Sequence, residues 1–291
     1  MRDEALGVAE QAFLQAITRE LDEGDLRFPT ALEITLGVMR ALEDPSCNLA
    51  RMAAMVSAEP LLAARVVALA NTAAYHPGGG PVLEVPRALV CIGFEMLRAL
   101  ALSVSAQQLA RQNELGPYQP LVQALWAHGV DVAATARALA HQCTGLSSDA
   151  AFLAGIVHDI GQFFLLARVW EYPRLISNEG PLNDLLRVWQ APVGRAVLTA
   201  IGMPEALVET VDDPEVYGGS WPPDSLTDLV FIAHLLAPTA NPFSLQPEPH
   251  RHGLARAATL GLDEVLLARI MKETEEERRG LMELFGIRDS A

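Results

Sequence analysis

Ser148–Val169 reads SDAAFLAGIVHDIGQFFLLARV, and the fold turns on how this stretch is read. Its apolar residues recur at three- and four-residue spacing, which predicts one helix from about Ser148 to Val169. His158 and Asp159 interrupt an otherwise apolar surface, and burying them is costly unless each finds a partner. A metal ion would satisfy both, with imidazole and carboxylate as ligands. Neighbouring helix positions point about 100° apart, yet both side chains can converge on an ion beside the helix. A further candidate, His128, follows Trp126-Ala127 on the preceding long helix, Leu121 to about Gln142. If those two helices run antiparallel, His128 and His158 face one another.

The same helical spacing extends outward in both directions. A helix over Asp3–Glu23 is predicted to close at Gly24, and a second to start at Pro29 and stop at Pro45. Asn48 is a good N-cap for Leu49–Ser57, and Glu59-Pro60 opens the next helix. After a Pro/Gly loop containing Gly78-Gly79-Gly80, two helical pieces are predicted to join near Gly93. Beyond the long helix and Ser148–Val169, shorter helices run to Glu209, and another covers Ser225–Leu236. Ala237–His252 reads as an extended surface loop, and a last helix runs from Asp263 to about Phe285 with the charge run KETEEERR. No run alternates as a strand would, so the fold class is all-α, a two-lobed helical bundle.

Composition sets outer bounds. The chain has 291 residues, enough to bury about 75% of its unfolded surface, and its 51% hydrophobic content excludes intrinsic disorder. Thirty-six acidic against 21 basic residues leave a formal charge of −15, which argues against nucleic acid as a partner. The mean hydropathy is +0.21, but charged residues and histidines break each apolar stretch before the roughly 18 residues a membrane span needs. MRDEALGVAEQ is too polar for a secretory signal, so a soluble, cytoplasmic chain without a membrane partner is expected. Cys47, Cys91 and Cys143 form no CxxC pair; neither a disulfide framework nor a cysteine zinc site is expected.

His128, followed by His158-Asp159-Ile160-Gly161, resembles the opening of the HD superfamily pattern, a metal-binding H…HD…D arrangement on a helical bundle. The residues before it are similar to the HDOD family, the HD-related output domains of bacterial signalling proteins. The phrases that carry this likeness are Glu59-Pro60-Leu61-Leu62, Leu69-Ala70-Asn71-Thr72 and Ile92-Gly93, in that order. The resemblance covers roughly Phe28 to Leu236. It implies a helical N-terminal lobe at 25–112 and an HD-like helical lobe at 120–236, to which the helical spacing adds an N-terminal helix at 1–24 and a loop with a C-terminal helix at 237–291.

HD enzymes hydrolyse phosphoesters with one or two metal ions, and this chain departs from their pattern. Gln162 stands where Lys commonly follows the tetrapeptide, and Phe231-Ile232-Ala233-His234 puts His in place of the final Asp ligand. The intervening stretch, Gln190–Gly194 and Val211-Asp212-Asp213, has no histidine for a second ion. Val216-Tyr217-Gly218-Gly219 lacks the Gly-Tyr-Pro order of the HD-GYP phosphodiesterases. Clamping both attacking and leaving oxygens with two ions therefore lacks its parts. The remaining donor set is His128, His158, Asp159 and His234, suited to one divalent transition metal: zinc, nickel or iron. The same side chains can instead hydrogen-bond to one another and to backbone in a packed core. The resemblance points towards that second arrangement, since HDOD domains are regarded as non-catalytic relatives with eroded ligands.

Two functions follow. The first is a non-catalytic signal-transduction output protein that acts by contact with regulatory or signalling proteins. Helix Asp3–Glu23 is then a candidate for docking or for a homodimer. The second is a mononuclear metal-dependent phosphohydrolase or phosphodiesterase acting on a nucleotide or cyclic nucleotide, for which Arg168 is the nearest cation to hold phosphate. A third use, binding a small molecule in the old cleft without turnover, also fits. His76, His141, His250, His252, Glu84 and Glu95 read as surface residues, Trp126 as core, Asn71 as a helix-end cap, and Asp212-Asp213 as a solvated acid pair.

Overall fold

The helix ends are set locally. Asn48 accepts from the N–H of Arg51 at 2.9 Å, Ser147 from Ala150 at 3.2 Å, Ser225 from Asp228 at 3.1 Å and Asp263 from Leu266 at 2.8 Å. Glu59 likewise caps the helix that Pro60 begins. The computed structural model describes residues 2–23, 32–73, 75, 80–109, 119–142, 145–169, 171–172, 179–211, 221–244 and 259–285. Among these residues there is no strand. Gly24, Pro29, His76, Cys143, Asp212, Asp213, His250 and His252 lie outside them.

The N-terminal lobe is built from α2 (Leu32–Glu43), α3 (Leu49–Ser57), α4 (Pro60–Ala70) and α5 (Val85–Leu109), after α1 (Arg2–Glu23). α5 is bent at Gly93, whose φ of 75° suits glycine, where the sequence predicts two joined pieces. The second lobe holds α6 (Gln119–His141), α7 (Ser148–Val157), α8 (Ile160–Val169), α9 (Glu179–Ile201), α10 (Glu205–Val208) and α11 (Leu226–Leu236). The single long α9, with Pro192 inside it, replaces the run of shorter helices expected there. α12 (Glu264–Phe285) lies against α6 and α3.

α7 is where the lobes meet. It packs on α6 and α11 within its own lobe and on α3, α4 and α5 of the other. A helix enclosed on all sides must be apolar all round, which explains why Ala150 to Val157 are all buried. Together α7 and α8 are as long and apolar as a membrane-spanning segment, but every residue from Ala150 to Val169 is buried in the protein itself. Trp126 is core, as expected, and its indole N–H crosses to the Ala58 carbonyl of the other lobe at 2.9 Å. Asn71 does more than cap. Its amide donates to the Val67 and Val82 carbonyls and accepts from the Val82 N–H, each at 2.8 Å, pinning the loop end to α4.

Two segments depart from a simple surface reading. α1 spends its apolar face inside the chain: Phe13 and Ile17 are buried, Phe13 meets Tyr172 edge-on at 5.1 Å, and Glu20 pairs with Arg168. The second half of α1 is thereby tied into the chain's own core. Ala237–His252 is not wholly a surface loop either. Its described part, 237–244, returns to the second lobe and buries Ala237, Asn241 and Phe243.

Candidate metal centre

Two glycines bring the helices close enough to assemble the site. A Cβ at Gly155 would lie 2.6 Å from the Ala133 Cα, so α7 crosses α6 almost backbone to backbone. His158, three residues on, then sits opposite His128, with ring centroids 5.4 Å apart. A Cβ at Gly161 would lie 2.1 Å from the Gln190 carbonyl oxygen and 2.8 Å from the Gly194 nitrogen. The HDIG glycine thus seats α8 on α9.

His158 and Asp159 lie in a break between α7 and α8 rather than in the one continuous helix expected. The His158 ring supplies the reason. Its Nδ1–H donates to the Gly155 carbonyl at 2.7 Å, and the ladder resumes with Gln162 N–H bonding to Asp159 O at 2.9 Å. The Nδ1–H of His128 donates to the Thr239 carbonyl at 2.7 Å. Each backbone carbonyl can only accept, so in both neutral rings the Nε2 carries the lone pair.

These lone pairs converge. His234, on α11, places Nδ1 3.3 Å from His128 Nε2 and 3.4 Å from His158 Nε2. Asp159 Oδ2 lies 3.1 Å from His158 Nε2 and 3.6 Å from His128 Nε2. His128, His158 and Asp159 are buried and His234 is half-buried. Among the described residues, the three histidines are the one group that could hold a metal ion. A tetrahedral ion bound at about 2.0–2.1 Å sets its ligands about 3.3 Å apart, close to the 3.3 and 3.4 Å from His234 Nδ1 to the other two rings, and Asp159 Oδ2 adjoins His158 and His128 as a further donor.

Burial pushes His128 down to about 4 and His234 to about 3, each also repelled by the neighbouring imidazoles. Burial would lower His158 too, but the adjacent Asp159 carboxylate outweighs it and raises that ring. Burial would raise Asp159, and the three imidazoles hold it below the usual carboxylate range instead. Two occupants therefore satisfy the cluster: a proton on His158 shared with Asp159, or a metal ion in its place.

A layer behind these groups escaped sequence reading. Asp131 Oδ2 accepts from the Thr239 N–H at 3.0 Å, fixing the carbonyl that orients His128, and Arg278 of α12 approaches Asp131 Oδ1 at 3.9 Å. Asn241 donates to Asp159 Oδ2 at 2.8 Å and to Gln162 Oε1 at 2.9 Å. Gln162, in the place of the expected Lys, is thus tied into the site. Asp131 left one trace, a charge three residues after His128 on an apolar helix. Arg168 is not a phosphate ligand: it is buried, paired with Glu20, and its Nη1 donates to the Phe164 carbonyl at 2.7 Å. His141 is exposed, 3.3 Å from Glu273, and Glu84 accepts from Ser147 at 3.0 Å.

A helical lobe with an H…HD…H cluster at its centre defines an HD-like protein. The HDOD domain family matches residues 28–215, more than half of the chain, and the chain belongs to that family. The match stops before α11, so His234 and the Thr239 and Asn241 supports lie beyond it. No curated protein matches in sequence. The fold is shared with the MmoQ response regulator of Methylococcus capsulatus (22% identity, 84% of this chain and 98% of that one, TM-score 0.59). It is also similar to a virulence factor of Campylobacter jejuni (15% identity, 91% and 99%, TM-score 0.59). A candidate metal-dependent phosphohydrolase of Shewanella amazonensis shares 23% identity over 94% of this chain and 99% of that one, with a TM-score of 0.52.

Proposed function

We propose that the chain is a signal-transduction output protein that acts by contact with a regulatory or signalling partner and holds one divalent transition metal without turnover. The ligands are His128, His158, Asp159 and His234, and zinc, nickel and iron all suit that donor set. The observation that carries the reading is a single cluster of three histidines, with Asp159 beside it, and no second metal-binding group among the described residues. A bound ion would supply Lewis acidity. The chain's own residues do the rest: Thr239 and Gly155 fix the two Nδ1–H tautomers, and Asn241 holds the Asp159 carboxylate. Arg168, the cation nearest the motif in sequence, is committed to Glu20.

Elemental analysis of the untagged protein beside a folded His158→Ala variant tests the centre. About one equivalent of metal, lost in the variant, is expected; none in either sample sinks the metal site. The loaded protein is then assayed against phosphomonoesters, cyclic mononucleotides and cyclic dinucleotides. No turnover is expected. Saturable hydrolysis that disappears in His158→Ala would make the protein a mononuclear phosphohydrolase instead. Crosslinking in source cells, followed by identification of the bound proteins, tests the partner. Signalling proteins are expected, and their absence counts against the output role.

A further inference from the structure

A cleft of about 80 Å³ opens beside the cluster. Asp159 and His234 line it together with Arg187 and Gln190 of α9 and Asn241 and Phe243 of the returning segment. Two buried polar atoms of these lining residues have no hydrogen-bond partner. Gln190 is 6% exposed, yet its Oε1 accepts nothing. The Arg187 Nε is buried without an acceptor, although its Nη2 holds Asp184 at 3.1 Å. Buried polar groups are ordinarily satisfied, so two orphans three residues apart on one helix face and on one cleft mark a ligand's place.

We propose that this cleft binds a small oxyanion that still carries a proton, the chemistry shared by hydrogencarbonate and hydrogenphosphate. The Arg187 Nε–H needs an acceptor, best a charged one, and Gln190 Oε1 needs a donor. An anion with both charged oxygens and an O–H answers the two at once; a fully deprotonated anion answers only the first. The volume equals roughly two to three water molecules, the size of a small oxyanion. Asp159 does not bar an anion, because the proton on His158 or the ion offsets its charge. The inference rests on the signalling reading for the ligand's role as an input, while binding itself depends on α9 residues outside the donor set.

Calorimetric titration of the full-length zinc-loaded protein at pH 7 with phosphate, and separately with bicarbonate, tests it, with formate as an anion that lacks the proton. Saturable binding of at least one of the two is expected, at least tenfold tighter than formate. Gln190→Met keeps the volume and removes both polar atoms; Arg187→Met removes the cation. With circular dichroism unchanged, each is expected to weaken binding at least tenfold. Binding to one oxyanion alone identifies which source the cleft selects. Equal binding of formate, unaltered binding in both variants, or no binding by the native protein overturns the proposal. Oxyanion binding that persists in His158→Ala without metal upholds this site even as the metal reading falls.

Discussion

The two ends of α8 bury charge in opposite ways. At its C-terminal end Arg168 is enclosed by Glu20, the Phe164 carbonyl and the Phe164 ring, 3.6 Å from the guanidinium carbon. Just before its N-terminal end, Asp159 is enclosed by three imidazoles. A guanidinium cannot lose its charge, so the first region is closed by covalently fixed groups and admits no occupant. An imidazole can, so the positive charge opposite Asp159 is exchangeable, and a proton or a metal ion can supply it. A buried pair of permanent charges builds structure; a buried carboxylate among titratable bases builds a site.

The largest effect is expected where the permanent pair is broken. Glu20→Ala strands the Arg168 charge and should cost about 3–5 kcal/mol in urea unfolding, whereas replacing both residues by apolar ones of similar volume should cost far less. Equal losses in the two would show that packing of α1, not the charge pair, stabilises that end. At the other end stability should follow the occupant. Zinc at a hundredfold excess over its Kd should add about 2.7 kcal/mol to the native protein and nothing to His158→Ala. An identical gain in the variant would place the ion elsewhere.

Gly161 lies on the helix both regions share. Gly161→Ala sets a methyl against the Gln190 carbonyl and should cost about 1–3 kcal/mol. It should lower metal affinity as well, since α8 carries Asp159 at its start; thermal unfolding with and without zinc separates the two effects. Asp131→Ala should act on the exchangeable end alone, weakening metal binding 10–100-fold through the loosened Thr239 carbonyl. Asp131→Asn, which keeps an acceptor for the Thr239 N–H, should restore most of that affinity. A dialysis titration that ranks the two variants equally would remove Asp131 from the support of His128.

How much of this could be read from the chain depends on the range of each interaction. The caps at Asn48 and Glu59 and the break at Gly93 act within four residues, and sequence reading finds them. His128, His158 and His234 are legible because a histidine or acid on an apolar helix stands out by its burial cost. Thr239 is invisible to that logic, since it acts through a backbone carbonyl that any residue would offer. Asn241 reaches back 82 residues to Asp159, and nothing around it announces the contact. The α7–α8 break was hidden for a related reason: apolar spacing continues across it, and only the His158 side chain competes for the Gly155 carbonyl.

The helices, their ends, the all-α class and the donor types were determined by the chain alone, because propensity, capping and burial cost are properties of neighbouring residues. Tertiary structure alone decided three things: that neighbouring donor atoms come within 3.1–3.6 Å, that Arg168 is consumed by Glu20, and that the Arg187 Nε and the Gln190 Oε1 are left without a partner in residues that line a cleft. Each depends on helix crossings set at Gly155 and Gly161 by segments remote in sequence. A single methyl of closer or wider approach there changes which polar groups meet, and no local pattern records it.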